Sequence, residues 1–353
     1  MQRNSIPRVR AHGDAFSIGV ALGRATAAGF RERVMRTEEY NALSGRWCGS
    51  DYLKALESAA RASYPRYVRE IEGIAVGAEQ DFDSVFLWNC RGDLRLPEHV
   101  SPTTKAIAAT GCTSLLVPAQ QGRPAVVAHN DDGAAEFNGA CVWVDAEPDD
   151  GLNWSSFMYP AMLPGHTFGA NGAGLVQTVN NISSHDLKVG VPRQIICRAI
   201  LDAKGMDDAV EILRRKDRAS GYHHNLGEAA TGRLVSVEAP ASGCAVREVD
   251  TARAHANHLI FEEFRSLDQK ITLSSRNRQQ TADRLIAEGA LDVGSEGVLF
   301  DETAPIYRVD RDCDDKIETL ATGIFELFED RVEWQVHATP KERKTLCGTI
   351  AVR

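Results

Sequence analysis

The texture of the chain changes abruptly between residues 111 and 112, and this step limits the possible folds more than any other feature. Upstream, apolar residues recur at spacings of three and four and strand-like alternation is absent, so the first hundred residues read as helical. Asp14 suits the cap of a helix carrying Phe16, Ile18, Val20 and Leu22, and Asp51 the cap of one carrying Tyr52, Leu53 and Leu56. A third helix follows Pro65 through Tyr67, Val68, Ile71 and Ile74 to Gly77, and a fourth begins near Asp83 and includes Phe86 and Leu87. The polar stretch 96–105, broken by Pro97 and Pro102, reads as an exposed connection.

Downstream, 112–117 and 124–128 flank the turn 120–123, a hairpin signal. Further strands are predicted at 140–146, 175–179, 234–237 and 245–249, a second hairpin at 319–328 with 332–337, and a last strand at 345–352. Two helices fall between them. One follows Pro192 with Ile195, Ile196, Ala199 and Ile200; the other has Asp207 ahead of Ala209, Val210, Ile212 and Leu213. Another is predicted at 277–288. This order does not alternate as βαβ units do, so helices packed over antiparallel sheets, an α+β fold, are expected.

Lysine and arginine total 40 against 49 acidic residues, a net charge of -9, which argues against a nucleic-acid partner. The eight cysteines include no C-x-x-C pair, the N-terminus lacks an apolar signal core, and no run of 18 apolar residues occurs. A cytoplasmic protein with mostly free thiols, no membrane partner and no cofactor is expected. The sequence leaves open whether it is a homo-oligomer.

One of those thiols has a distinctive context. In Gly111-Cys112-Thr113-Ser114 a cysteine opens a strand directly after a glycine, whose carbonyl no side chain shields. The thiolate of Cys112 is placed to attack that carbonyl, form a thioester and, on hydrolysis, leave a new N-terminal cysteine. Taken alone, a cysteine at a strand start is more often a buried small hydrophobe. Likewise, Asn130-Asp131-Asp132-Gly133 is good turn chemistry.

Five motifs in order give this site a context: Gly111-Cys-Thr-Ser114, His129-Asn-Asp-Asp132, Phe168-Gly-Ala-Asn-Gly-Ala-Gly-Leu175 with Asn180, Val191-Pro-Arg193, and His255-Ala-Asn-His258. Together they resemble the acyl-coenzyme A:6-aminopenicillanic acid acyltransferase family of N-terminal nucleophile hydrolases, from about residue 10 to the C-terminus. The resemblance implies a four-layer αββα sandwich, made as one precursor that cuts itself between Gly111 and Cys112. The pieces, helical 1–111 and strand-rich 112–353, would stay associated as one domain. Cys112 would be nucleophile and N-terminus, with its own α-amine as base. Asp132 would be the carboxylate that orients amine and thiol, and Asn257 the donor to the oxyanion.

Three candidate functions follow, the first two implied by the resemblance and the third a rival of another class. They are hydrolysis of a linear N-acyl or aminoacyl amide of a small amine, acyl transfer from an acyl-thioester to an amine, or an uncut, non-catalytic scaffold. Where the family carries a glutamine and aromatics around the motif aspartate, this chain has His129, Asp131 and Gly133. That departure predicts a polar site suited to a substrate bearing a cation. Asp131, His129, Asn180 and Phe168 are the candidate substrate contacts, and the aromatic segment 153–168 reads as pocket lining or core packing between strands.

Other readings stay structural. His255 with His258, and His223 with His224, are read without a metal, since no carboxylate or cysteine lies at supporting sequence spacing. Arg276 and Arg278 read as a structural helix start. Glycines 169, 172 and 174 have the wrong spacing for a dinucleotide loop.

Overall fold

Period-two alternation along the strands decides what each face of two sheets holds. The computed structural model describes residues 6–94, 111–120, 122–303, 306–309, 317–338 and 346–352. The eight-stranded sheet contains β1 (Arg8–Gly13), β4 (Val142–Pro148), β5 (Trp154–Met158), β6 (Phe168–Asn171), β7 (Leu175–Asn181), β8 (Tyr222–Glu228), β9 (Arg233–Ala239) and β10 (Ala245–Glu248), in that spatial order. The six-stranded sheet runs β11 (Arg253–His255), β2 (Cys112–Val117), β3 (Ala125–Ala134), β12 (Ile317–Phe328), β13 (Arg331–His337) and β14 (Leu346–Ala351). Among the described strands only β1 with β4 pairs in parallel, so the fold is α+β with predominantly antiparallel sheets.

On β2, β3 and β12, Leu115, Ala128 and Ile324 go to one side, where Ala282 of a covering helix meets them. Leu116, Val127 and Phe325 go to the other and join the main core. There the two sheets face each other through aromatic rings: Trp143 lies 4.3 Å from Trp334, and Phe168 lies 6.1 Å from Phe325, edge to face. Gly323 makes room, because a Cβ there would sit 2.6 Å from the Phe168 ring.

The upstream helices are α1 (Ala15–Glu32), α2 (Glu38–Trp47), α3 (Asp51–Ser63), α4 (Pro65–Ala78) and α5 (Phe82–Asn89). Helices α1 and α4 approach so closely that a Cβ on Gly19 or Gly73 would lie about 2 Å from the other helix's carbonyl oxygen. Later come α6 (Arg193–Ile200), α7 (Met206–Arg214) and α8 (Leu273–Ala287). No helix among the described residues is long and apolar enough to cross a membrane.

Asp14 caps α1 as expected, accepting from Ser17 N–H at 2.7 Å. Other boundaries differ. Ser50, not Asp51, caps α3; Asp81 caps α5 ahead of Asp83; and Thr272 caps α8, which begins at Leu273, four residues before the predicted 277, each by accepting a first-turn N–H. The N-terminal region is not wholly helical. Strand β1 carries two arginines at a sheet edge, where outward charge masks the alternation that would mark it. The segment 153–168 is not a connection but contains β5, and Phe168 opens β6. Strand β8 and helix α2 had no clear signal. The G-x-x-G-x-G run is the β6–β7 hairpin turn, with Gly174 at φ 78°. The predicted connection 96–105 lies outside the described residues.

A buried ion pair ties upstream helices to downstream ones: Arg198 on α6 donates to both carboxylate oxygens of Glu70 on α4, at 3.1 and 3.0 Å. Both side chains are fully enclosed. Arg198→Met is expected to destabilise the fold by about 3–5 kcal/mol, because Glu70 is left buried without its partner. Adding Glu70→Leu should recover most of that loss in denaturant unfolding; a double variant no more stable than the single one would refute the pairing argument.

Candidate functional site

Strand β2 lies between β11 and β3, and its register sets the site. Cys112 is opposite Asp131, Thr113 opposite Asn130, and Ser114 opposite both His129 and His255. By alternation Cys112, Asp131, Ser114 and His129 point between the sheets, while Thr113 and Asp132 point to the face covered by α8.

Between the sheets Cys112 Sγ is 4.0 Å from Asp131 Oδ1. Both residues line a cavity of about 760 Å³, together with Tyr159, His166, Asn181 and Arg193. Burial, then the Asp131 and Asp132 carboxylates, push the Cys112 thiol well above its ordinary value of 9.0, with Arg278 opposing. At neutral pH the sulfur is therefore a thiol, and it needs a base to become a nucleophile.

On the covered face, the Asp132 carboxylate accepts from Thr319 Oγ1 at 2.6 Å, and the Asp132 N–H donates to the Gly111 carbonyl at 2.9 Å. The Cys112 N–H donates to Asn257 Oδ1 at 2.7 Å, and one N–H of the Asn257 amide donates to Asn181 O at 2.9 Å. Arg278, on α8 and 1% exposed, donates to the Cys112 carbonyl, to Thr113 Oγ1 at 3.1 Å and to Asn257 Oδ1 at 2.7 Å. Gly111 is hemmed in, since a Cβ would lie 3.1 Å from both the Arg278 guanidinium and the Asp132 carboxylate.

Behind Cys112, Ser114 Oγ donates to Asn180 Oδ1 at 2.6 Å and lies 2.7 Å from His129 Nδ1. Having given its one proton to Asn180, Ser114 can only accept from His129, so Nδ1 carries the hydrogen and Nε2 presents a lone pair. That lone pair faces Asp131 Oδ1 at 3.9 Å, and His129 Nε2 and Asp131 Oδ2 are buried without hydrogen-bond partners. Burial moves the His129 pKa down. Two acceptors thus confront each other beside the thiol, a place made for a donor or a cation.

The structure brings Cys112, Asp131, Asp132, His129 and Asn257 together. Asn180 is near but enclosed, holding Ser114 and the His255 carbonyl. Phe168 packs in the aromatic core, away from the cavity lining. His255 stacks on His223 with ring centroids 3.3 Å apart and bonds Glu238 at 2.9 Å, a carboxylate brought in by β9 that sequence spacing did not reveal. Arg278, Thr319 and Ser114 were not foreseen at the site; Tyr159, from the segment 153–168 read as pocket lining or core packing, lines the cavity. For Arg278 the signal was present, an arginine at a predicted helix start, but its reach to the first strand residue was not.

Residues 119–341 match the family described as acyl-coenzyme A:6-aminopenicillanic acid acyl-transferase, a match that begins downstream of Cys112. The chain is also similar to the beta-alanyl-dopamine/carcinine hydrolase of Drosophila melanogaster, at 26% identity over 364 residues, covering 92% of this chain and 91% of that protein.

Asp132 supplies a pH test. Burial outweighs Arg278 and Arg308 and lifts its pKa from 3.8 to about 6. A raised folded value means that its stabilising contribution is complete below 3.8 and lost as pH rises through about 6. Relative to wild type, Asp132→Asn should therefore gain stability with rising pH across that interval, by up to about 3 kcal/mol, and level off above it. A pH-independent difference in unfolding free energy would refute the shift.

Proposed function

Because the chain belongs to the acyl-coenzyme A:6-aminopenicillanic acid acyltransferase family, we propose that it cuts itself between Gly111 and Cys112. It then uses the Cys112 thiol to hydrolyse a linear amide between a short acyl or aminoacyl group and a small amine. Family membership and the similar hydrolase make the chain an enzyme acting on amide bonds, and set aside the scaffold reading. In this reading the two facing sheets and the helices over their outer faces are the four-layer αββα sandwich of N-terminal nucleophile hydrolases.

The observation that carries the proposal is the setting of the Gly111–Cys112 peptide. Its carbonyl accepts from the Asp132 N–H, its nitrogen is held by Asn257, and its thiol opens into the cavity. In self-cleavage the sulfur gives up its proton and attacks the Gly111 carbonyl carbon, the Asp132 N–H steadies the oxyanion, and the C–N bond breaks as that proton passes to the Cys112 nitrogen. Water then hydrolyses the thioester, leaving a Gly111 carboxylate and a free Cys112 amine. In turnover that amine, retained by Asn257 Oδ1, removes the thiol proton, with the Asp132 carboxylate orienting the pair. The sulfur attacks the substrate carbonyl, and the second N–H of the Asn257 amide donates to the oxyanion, a contact worth about 10²- to 10³-fold in turnover. The protonated α-amine returns its proton to the leaving amine, and water resolves the thioester. An amine in place of water makes the same intermediate an acyl donor, the transferase alternative.

The unpartnered acceptors of Asp131 and His129 support a cationic acyl group, as an amino-acyl amide carries. The relative's name points to amides of the same kind, β-alanyl derivatives of small amines. After the cut, β1 in the large sheet and the α1–α4 core hold the upstream piece in place.

Intact mass and N-terminal sequencing should find pieces of 111 and 242 residues, the second beginning Cys-Thr-Ser-Leu. They should co-elute under native conditions, and Cys112→Ala should leave one chain. A single uncut chain after long incubation of the wild type would overturn the proposal. Asp131→Asn should raise KM for a β-alanyl amide about tenfold relative to the matching neutral acyl amide; equal effects on both would remove Asp131 from substrate recognition.

A further inference from the structure

Three ligand atoms of the kinds that bind zinc meet where Cys112 and Asp131 line the cavity, with His129 beside them. One atom each from Cys112, His129 and Asp131 lies within 4.8 Å of the other two, and all three residues are buried. His129 Nε2 and Asp131 Oδ2 have no hydrogen-bond partner. The hydrogen bond from His129 Nδ1 to Ser114, passed on to Asn180, fixes the ring with its Nε2 lone pair toward Asp131. That arrangement is the outer support that metal-binding histidines use.

We propose that Cys112, His129 and Asp131 form a site for a borderline divalent cation such as Zn²⁺, whose binding reversibly blocks the thiol. A thiolate, an imidazole and a carboxylate suit zinc or cadmium, whereas magnesium and calcium take oxygen ligands throughout. In a tetrahedral zinc site such atoms stand about 3.4–3.6 Å apart. The present separations are 4.0 Å for sulfur to Asp131 Oδ1, 3.9 Å for His129 Nε2 to the same oxygen and at most 4.8 Å for the third pair, so the three side chains draw together as the ion binds. Cys112 and Asp131 line the cavity, which gives the ion a path in and leaves the fourth coordination position to water. Binding exchanges the thiol proton for the metal: the S–H bond breaks, a sulfur–metal bond forms, the proton leaves to solvent, and no redox partner is required.

This inference does not rest on the proposed reaction, because the test reads bound metal rather than turnover. The whole protein is titrated with Cd²⁺ while the ultraviolet charge-transfer band of cadmium–thiolate is followed, with Cys112→Ser in parallel to subtract the other cysteines. One equivalent of Cd²⁺ should give a band that Cys112→Ser lacks, that Zn²⁺ displaces and Mg²⁺ does not. His129→Gln and Asp131→Asn should each weaken Cd²⁺ binding by more than about tenfold, with folding checked by circular dichroism. A band that survives Cys112→Ser, or unchanged affinity in both of the other variants, would overturn the site. Should either variant fail to fold, pH-stat titration of the wild type gives a second reading: about one proton released per metal bound supports the site, and none refutes it.

Discussion

A single buried guanidinium holds the site together. Arg278 reaches from α8 to the carbonyl of Cys112, the hydroxyl of Thr113 and the amide oxygen of Asn257, and its charge opposes the burial cost of the Asp132 carboxylate. These partners come from three parts of the fold, so the start of β2, the turn after β11 and the end of β3 share one electrostatic centre. A lysine would supply the charge without the planar fork that meets three acceptors at once.

Around that centre, polarity is divided by face. The side under α8 carries the groups that grip the backbone of Gly111 and Cys112, and the side between the sheets carries the thiol, Asp131 and His129. One residue of register shift would exchange the two sets, placing the thiol under the helix and Asp132 in the cavity. The continuous pairing of β2 with β11 and β3 excludes that shift.

Much of this was legible in the sequence. The helix-to-strand step at 111/112 marks the start of β2, and the α+β class followed from the order of elements. The motif resemblance brought Cys112, Asp132 and Asn257 to one place. What escaped depends on long-range contacts. Strand β1 is short, charged and at an edge, so it shows no alternation until β4 pairs with it. Phe168 looks like a pocket aromatic by composition, yet its ring fills the gap above Gly323. Arg278 looks like a helix-start arginine, because nothing local shows that its target lies 166 residues upstream. Glu238 meets His255 only through the packing of the two sheets.

The bond from the Cys112 nitrogen to Asn257 spans 145 residues of chain. During synthesis the segment before Cys112 is exposed long before its partners exist, and the scissile carbonyl then lacks the surroundings that the proposed cleavage uses. Under that proposal the cut happens only after Asn257 and Arg278 have emerged and docked. Its occurrence would be a covalent record that the last third of the chain found its place, and a chain that misfolds downstream would keep its nucleophile locked inside an ordinary peptide bond.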